Sequence, residues 1–422
     1  MKMLIAIVVM LVGVFPAFTQ TTGQRETELS PAEQAIERAR KILTTKPNDY
    51  EAHNALALAL SRRARETSDV GFYARAEEAL RKSFAIAPDN FDGARIHGWL
   101  LLGKHEFAAA LEEAKKLNKR TADDVMVYGL MTDANVELGN YEDAEAAAQW
   151  MLNLRPGNLA GVTRAAYLRE LFGDNEGSLE LMEMALQSTA PAEVEDQAWI
   201  LAQMAHLKIS SGKTEEAERL LQQALTLFPG YHYALGNLAR VRIGQKRYPE
   251  AVQLFEQRYA AAPHAENLYD LAVAWQMAGS TAEASKAFAQ FEEKSLAETN
   301  RADNSNHELV FYYADHAQQP AKALDVARRE YARRHDVFTL DAYAWALYKN
   351  GRSAEACKQI EAALAVGIQD AKLLRHAGEI SLKAGDTASA ERYLRASAEL
   401  KAPESAQAQV LLAGLTHTPK RR

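Results

Sequence analysis

The chain has 422 residues, of which 25% are charged, and its formal net charge at pH 7 is −7. This composition is ordinary for a soluble protein. Because surfaces that hold nucleic acid usually carry a strong basic excess, the charge argues against nucleic acid as a partner. The single cysteine, Cys357, excludes an intrachain disulfide.

Residues 1–19 have the layout of a secretory signal peptide. Lys2 precedes an apolar run from Met3 to Val14, and Pro16 and small residues follow it. The run is shorter than the roughly 20 residues that a helix needs to span a bilayer. We therefore expect cleavage near Thr19, a secreted or periplasmic location and no stable membrane span in the mature chain. Retention of the segment as an uncleaved anchor is the alternative.

Residues 20–30 are polar and predict a disordered lead-in. Ser30, Pro31 and Glu33 then predict a helix start, because Ser and Glu at this spacing form a capping box and Pro suits the first helical position. The segment up to Pro47 has the pattern of half a repeat. We expect it to cover the N-terminal end of a stack.

Residues 125–156 contain one complete copy of a pattern that fills the chain. Apolar residues recur at helical spacing up to Leu138, and Gly139 then supplies the left-handed conformation that ends many helices. A second helix is predicted from Tyr141 to Leu154, and Pro156 follows it. Ala144 falls where the two helices cross, and its small side chain lets their axes approach closely.

The same pattern recurs about every 34 residues from residue 31 to residue 403. The small residue at the helix crossing returns as Ser178, Ala217, Ala251, Ala284, Ala323, Ala356 and Ala390. A helix-turn-helix unit of this length resembles the tetratricopeptide repeat. The resemblance implies an all-α, right-handed solenoid of about ten stacked repeats over residues 31–403, whose first helices line a concave face. Residues 404–422 are expected to form a C-terminal capping helix and a frayed tail.

Three stretches depart from this spacing. About seven extra residues lie between Ala59 and Ala76, and the spacing grows from 34 to 39 residues around 188–197 and again around 293–306. Extra residues between repeats predict lengthened helices or loops at one edge, where solenoids often hold partners.

Local motifs do not support catalysis. Ser211–Thr214 match the end of a phosphate loop, but Leu207 stands where its glycine is needed. His105 and Glu106 begin like a zinc-protease helix, but Ala109 replaces the second histidine. We therefore predict no enzyme and no cofactor. The inner helices also lack the Lys and Asn pattern of a chaperone-tail clamp, and the basic stretch Arg328–Arg334 is interpreted as a solvated helix face.

The words ADH, AWAL and HAG, within residues 311–379, also resemble a group of uncharacterised secreted bacterial tetratricopeptide proteins. This resemblance implies architecture and names no ligand.

The concave groove is the best candidate for a site. Aromatic and arginine side chains are enriched at binding hot spots, and many lie at its predicted inner positions. The candidate partner-binding residues are Trp99, Tyr167, Trp199, Tyr233, Arg240, Tyr269, Tyr312, Asp315, His316, Asp341, Trp345, Tyr348, Arg375 and His376. We therefore predict a non-catalytic, extracytoplasmic scaffold that binds another protein or peptide in this groove. For any single residue, packing between helices is the alternative.

A second hypothesis is a polar pocket for a metal ion or small solute in the C-terminal repeats. Asp315, His316, Asp341 and His376 offer carboxylate and imidazole ligands on neighbouring inner helices. Arg375 would repel a cation, so an interhelical hydrogen-bond network is the alternative, and no metal-binding residue is assigned.

Overall fold

The computed structural model describes residues 29–299, 304 and 306–417, with no side-chain description for 416 and 417. The predicted signal peptide, nearly all of the lead-in and the last five residues lie outside this range. The described residues form 22 α-helices and one π-helical turn, without a β-strand.

In chain order the helices are α1 (Pro31–Thr45), α2 (Tyr50–Thr67), α3 (Gly71–Ile86), α4 (Phe91–Gly103), α5 (Phe107–Arg120), α6 (Val125–Glu137), α7 (Tyr141–Leu154), α8 (Leu159–Leu171), α9 (Asn175–Ser188), α10 (Val194–Ser210) and α11 (Thr214–Leu227). They continue as α12 (His232–Gly244), α13 (Tyr248–Ala261), α14 (Ala265–Met277), α15 (Thr281–Glu298), α16 (Asn306–Phe311), α17 (Pro320–Tyr331), α18 (Val337–Lys349), α19 (Ser353–Leu364), α20 (Ala371–Ala384), α21 (Thr387–Glu399) and α22 (Ser405–His417). The π-helical turn, Tyr312–His316, continues α16.

Helices α2 to α21 pack as ten consecutive pairs, numbered here 1 to 10 from α2–α3 to α20–α21. Helix α1 packs on α2, and α22 packs on α20 and α21. The prediction of an all-α solenoid of about ten repeats is confirmed.

The local expectations for pair 3 hold. Gly139 follows the end of α6 with a φ of +78°, and Ala144 is fully buried at the helix crossing. Ser30 and Glu33 form the expected capping box at the start of α1.

Successive turns of the solenoid touch along a line that we call the seam. The His335 backbone N–H donates to the Glu137 carbonyl oxygen at 3.0 Å. The Val337 N–H donates to the Tyr141 hydroxyl oxygen at 3.0 Å, across 196 residues of sequence. The turn inside pair 3 thus meets the connection between pairs 8 and 9. The solenoid therefore completes one superhelical turn in between five and six pairs.

Gly173, in the turn of pair 4, shows how closely the backbones approach at the seam. Its φ is +83°, and a Cβ atom there would lie 2.5 Å from the Gly367 carbonyl oxygen. In pair 5, a Cβ atom on Gly212 would lie 2.8 Å from the Cβ of Lys401. Glycine at these positions therefore satisfies the backbone conformation and leaves room for the next superhelical turn.

Apolar packing also crosses the seam. Val136 and Leu171, from pairs 3 and 4, belong to the same hydrophobic core as Val337 and Leu340 of pair 9. Buried residues of pair 5 belong to separate clusters, so the connection runs across the seam and not along the stack. The adjacent turns are therefore held by buried apolar surface as well as by hydrogen bonds.

The departures from the 34-residue spacing contribute to this contact. The first lengthens α2, and Arg65 near its end pairs with Glu195 and, at 2.8 Å, with Asp196. These two carboxylates lie on α10, which the second departure lengthens. The His232 ring donates from Nε2 to the Arg65 carbonyl oxygen at 3.0 Å. The edge expected to hold a partner thus holds another part of the same chain.

Arg334 corrects one sequence interpretation. The basic stretch was expected to form a solvated helix face, but α17 ends at Tyr331 and the chain then turns toward the seam. Arg334 Nη1 lies 3.3 Å from the Glu137 carboxylate, and its side chain is only 19% exposed. For Arg334, the interpretation as a solvated residue is therefore wrong.

The coil encloses a narrow lumen along its concave face. Five to six inner helices spaced about 10 Å apart leave a bore of about 7 Å once the width of the helices is subtracted. A bore of this size is narrower than an α-helix, whose diameter with side chains is about 10–12 Å. It is wide enough for the backbone of an extended chain, which occupies about 4.8 Å in the plane of its peptide groups, when the side chains enter cavities in the wall.

The seam predicts different effects of two equivalent substitutions. Gly351 has a φ of +75° but no neighbour within 4 Å of a Cβ, so Gly351→Ala should cost about 1–2 kcal/mol from backbone strain alone. Gly173→Ala adds the collision with Gly367, and should lower the urea midpoint further. Small-angle scattering should show a larger radius of gyration only for Gly173→Ala. Equal scattering curves and equal midpoints for the two variants would contradict the seam's role.

Candidate functional site

Two adjoining cavities lie in the lumen. The first has a volume of about 220 Å³ and is lined by aromatic side chains from three pairs, Tyr73, Trp99 and Tyr233, together with Arg65. His264, Glu266 and Asn304 close its other side. Asn304 comes from the third departure in spacing, so each departure contributes at least one described residue to the seam or to the lining of this cavity.

The second cavity has a volume of about 250 Å³ and lies between pairs 2, 3 and 4. Tyr167 and Arg164 of α8 line it, and Arg334 reaches it from across the seam. Tyr167 is 37% exposed. Burial raises its pKa well above the ordinary value, and the Glu137 carboxylate adds to the effect. The ring is therefore open to solvent while enclosed by protein on several sides, as expected for a narrow channel.

His105 belongs to the lining of both cavities. Its backbone has a φ of +59°, a conformation that the corresponding turns elsewhere mostly give to glycine. Its ring stacks on Phe107 with centroids 5.4 Å apart. In the sequence, His105 matches only the first position of a zinc-protease motif whose second histidine is missing. The available signal was a side chain at the position of Gly139, which a turn tolerates only at a cost in strain.

Charged groups along the lumen are largely paired. Arg164 binds the Asp133 carboxylate through Nε and Nη2, at 2.7 and 2.5 Å. Beside it, burial and the nearby Asp336 carboxylate raise the pKa of Glu137 to about 7, against the opposing effect of Arg334. The lumen therefore offers little net positive charge at this point.

A chain of polar contacts links three inner helices further along. The His206 ring donates from Nε2 to the Glu170 carboxylate at 3.0 Å. Arg240 donates from Nη1 to His206 Nδ1 at 3.1 Å, and from Nε and Nη2 to one oxygen of Glu404 at 3.1 and 2.9 Å. The predicted residue Arg240 thus already binds a carboxylate of its own chain.

Several predicted residues of the C-terminal half are closed off. Trp345 is only 2% exposed, and its indole N–H donates to the Asp315 carboxylate at 3.0 Å. Asp315 also pairs with Lys349 at 2.7 Å. The ring of Trp345 stacks on His376 with centroids 3.9 Å apart. Trp345 therefore supports the inner wall and presents almost no surface to a partner.

The group proposed for a metal or solute forms a hydrogen-bond network. The fully buried His376 donates from Nδ1 to Asp341 at 2.7 Å and accepts at Nε2 from Arg375 at 2.9 Å. Burial lowers the pKa of His376 to about 4 despite Asp341, so the ring is neutral at physiological pH. Among the described side chains, no three His, Cys, Asp or Glu residues are placed to hold a metal ion. These contacts fit the hydrogen-bond alternative and not the metal hypothesis.

The remaining predicted residues lie in aromatic packing. Tyr269, Tyr312 and His316 surround Phe288, with ring centroids 4.6 to 6.1 Å from it. Tyr348 packs on Trp345 with centroids 4.9 Å apart, and half-buried Trp199 packs against two core clusters. The structure brings Trp99 and Tyr233 together at the first cavity, places Tyr167 at the second, and groups the C-terminal residues elsewhere. Binding by any of these residues stays a prediction.

The fold defines a class of protein. Ten stacked helix pairs with a concave lumen make this chain a helical-repeat solenoid. Two family models, both described as tetratricopeptide repeat, match residues 208–271 and 342–405. The chain is a tetratricopeptide repeat protein. Such proteins are generally non-catalytic scaffolds that bind proteins or peptides.

Several solved structures are similar to this chain at low sequence identity. The human IFIT1 dimer with PPP-AAAA is similar over 89% of this chain and 96% of that chain, with a TM-score of 0.50 and 14% identity. An IFIT1 monomeric mutant with Gppp-AAAA covers 87% of this chain and 90% of that one, with a TM-score of 0.50 and 15% identity. PilW, described as a type IV pilus biogenesis factor, covers 48% of this chain and 92% of its own, with a TM-score of 0.42 and 14% identity. The likeness to IFIT1 shows the fold alone. No curated protein matches the chain.

In the part of the chain that the structure describes, no helix combines the length and apolar character needed to cross a bilayer.

Glu137 should make the stability of the protein depend on pH. Its pKa is raised in the folded state, so the folded chain holds this proton more tightly than the unfolded chain does. The stabilising contribution is complete below the ordinary value of 4.5 and is lost as the pH rises toward about 7. Glu137→Gln should therefore reduce the loss of stability between pH 5 and pH 8, measured by urea unfolding. The control is Glu145→Gln on the exposed face of α7, and an unchanged pH profile in Glu137→Gln would contradict the prediction.

Proposed function

We propose that this protein is a non-catalytic, extracytoplasmic scaffold that binds an extended segment of another polypeptide in its lumen. The observation that carries the proposal is the pair of adjoining cavities that meet at His105. Aromatic rings line both cavities, and such rings provide large contact area with little loss of conformational entropy.

The dimensions favour an extended polypeptide over a helix or a free solute. A bore of about 7 Å excludes a partner helix, which is about 10–12 Å wide. Each cavity is smaller than the roughly 300 Å³ at which ordinary small-molecule pockets begin. Two small adjoining cavities suit successive side chains of one chain better than a single solute.

The charges favour polypeptide over nucleic acid. The IFIT1 structures are described with PPP-AAAA and Gppp-AAAA, but the likeness to them extends only to the fold. Arg164 and Arg65 in this lumen are paired with carboxylates of the chain itself. A phosphate backbone would have to break these pairs in a protein whose net charge is −7.

The extracytoplasmic location rests on residues 1–19, whose composition is that of a secretory signal peptide. The partner is then a secreted or envelope polypeptide.

Site-specific crosslinking tests the proposal. A photo-reactive phenylalanine replaces Tyr167 in the lumen or, as the control, Trp150 on the outer helix α7; the native side chains are 37% and 52% exposed. Crosslinking in the native cell envelope should attach one polypeptide at position 167 and not at position 150. The same polypeptide at both positions, or none at position 167, would refute binding in the lumen.

The narrow bore gives a second test, with the peptide recovered at position 167. A linear synthetic copy should bind the purified protein, while a copy stapled into a helix should bind at least tenfold more weakly because it cannot enter the lumen. Fluorescence polarisation measures both affinities. Equal or tighter binding of the stapled peptide would show that the partner lies outside the lumen.

A further inference from the structure

Residues 400–405, which comprise the connection between α21 and α22 and the first residue of α22, reach from the C-terminal end of the solenoid to the concave face of pair 6. We call this segment the clasp. Its Glu404 carboxylate accepts hydrogen bonds from Arg240 Nε and Nη2, although the two residues are 164 positions apart. Arg240, on the inner helix of pair 6, therefore already binds an acidic side chain that comes from the clasp.

The Arg240 side chain is oriented by its neighbours. Its Nη1 donates to His206 Nδ1, and His206 in turn donates from Nε2 to Glu170. These contacts fix the ring tautomer and hold one edge of the guanidinium. The other edge, formed by Nε and Nη2, donates both of its hydrogen bonds to one oxygen of the Glu404 carboxylate. The planar guanidinium therefore presents a fixed pair of donors to a carboxylate at this point.

Small residues and close backbone contacts admit the clasp. Pro403 Cγ would lie 3.1 Å from a Cβ at Gly244, and Lys401 Cβ would lie 2.8 Å from a Cβ at Gly212 in the turn of pair 5. Ala402 is buried, and the Ser405 hydroxyl donates to the Ser397 carbonyl oxygen at 2.5 Å. The clasp is a turn, because Lys401 has a φ of +55° and the Ser405 N–H donates to the Ala402 carbonyl oxygen at 3.0 Å. It shows that this rim accepts a turn of another segment that carries one carboxylate.

The pair between Arg240 and Glu404 is accessible to exchange. The two side chains are 29% and 32% exposed, whereas the buried pair between His376 and Asp341 is 0% and 5% exposed. Burial alone would raise the pKa of Glu404, but Arg240 more than offsets this effect and lowers it, so the carboxylate is ionised at neutral pH. Asp370 and Asp270 add a negative field at Arg240. Exchange of one carboxylate for another leaves this charge balance unchanged.

We propose that Arg240, oriented by His206, is a carboxylate-recognition point of the lumen, and that a carboxylate side chain of the polypeptide partner occupies it by displacing Glu404 of the clasp. The inference rests on the proposed function and adds the chemistry of the partner. It also gives the clasp a role, because a tethered competitor lowers the apparent affinity of any partner with the same chemistry.

A peptide that copies residues 400–408 of this chain, labelled with fluorescein, is the probe. It carries one carboxylate side chain, at the position of Glu404. The full-length Glu404→Gln variant loses the charge of its tethered competitor, so it should bind the probe about tenfold more tightly than the unmodified protein. A probe with Gln in place of Glu should lose this gain. Raised salt should weaken binding of the probe that contains Glu and have a smaller effect on the probe that contains Gln.

Arg240 provides the decisive comparison. Arg240→Ala in the Glu404→Gln background should abolish the gain, whereas Arg95→Ala in the same background should retain it. Arg95 is a matched control because it also lies on an inner helix, pairs with Asp124 and is 32% exposed. If Arg240→Ala unfolds, Arg240→Lys keeps the charge but not the planar fork, and should still bind the probe more weakly.

Two outcomes would overturn the inference: equal probe affinity of Glu404→Gln and the unmodified protein, or affinity that does not depend on residue 240. Crosslinking at position 167 is independent of both. A polypeptide captured there without any effect at residue 240 would leave the proposed function standing and remove only this inference. If no polypeptide is captured at position 167 but probe binding depends on residue 240, binding of a partner in the lumen is refuted and carboxylate recognition by Arg240 stands.

Discussion

The close approach of two backbones at the seam is the constraint on which the rest of this molecule depends. A side chain at Gly173 would collide with a carbonyl oxygen from the next superhelical turn, whereas the equivalent Gly351 faces open space. In pair 9, glycine is therefore needed only for its backbone conformation. In pair 4, it is needed both for its backbone conformation and for its lack of a side chain. Because the turns touch, the concave face becomes a lumen, and the spacing of the turns determines which inner side chains stay open.

The stack could be predicted from the sequence because it is built from contacts between neighbours. Each repeat buries its apolar face against the next, so a 34-residue pattern contains nearly all the necessary information. The seam could not be predicted in this way. Its partners, such as Tyr141 and Val337, lie 196 residues apart in the sequence. The distance between successive superhelical turns is the sum of many small rotations between neighbouring pairs. From the sequence, Tyr141 was expected only to begin the second helix of its pair, yet its hydroxyl also accepts a hydrogen bond from across the seam.

The candidate site could likewise be predicted only in part. Sequence position identified the inner face correctly enough to place Trp99 and Tyr233 beside one cavity and Tyr167 beside the other. It could not separate these open rings from Trp345, which a stacked histidine and a carboxylate enclose. A single template treats all inner positions alike, and exposure depends on where the coil overlaps itself. The departures from the repeat were the more informative signal, since each supplies a described residue, such as Arg65, Asp196 or Asn304, at the seam or beside the first cavity.

A closed coil raises the question of how a partner reaches the lumen. In a solenoid, each repeat is stabilised mainly by its neighbours, so contacts between distant turns can break while the repeats stay folded. The polar seam contacts are a few hydrogen bonds and ion pairs, such as those between Glu137 and residues 334–335, and they are partly exposed. Opening therefore competes with these contacts and with the apolar surface near Val136, not with the full folding energy of the protein. Under the proposed function, residues at the seam would regulate access to the lumen, and inner residues would determine which partner binds there.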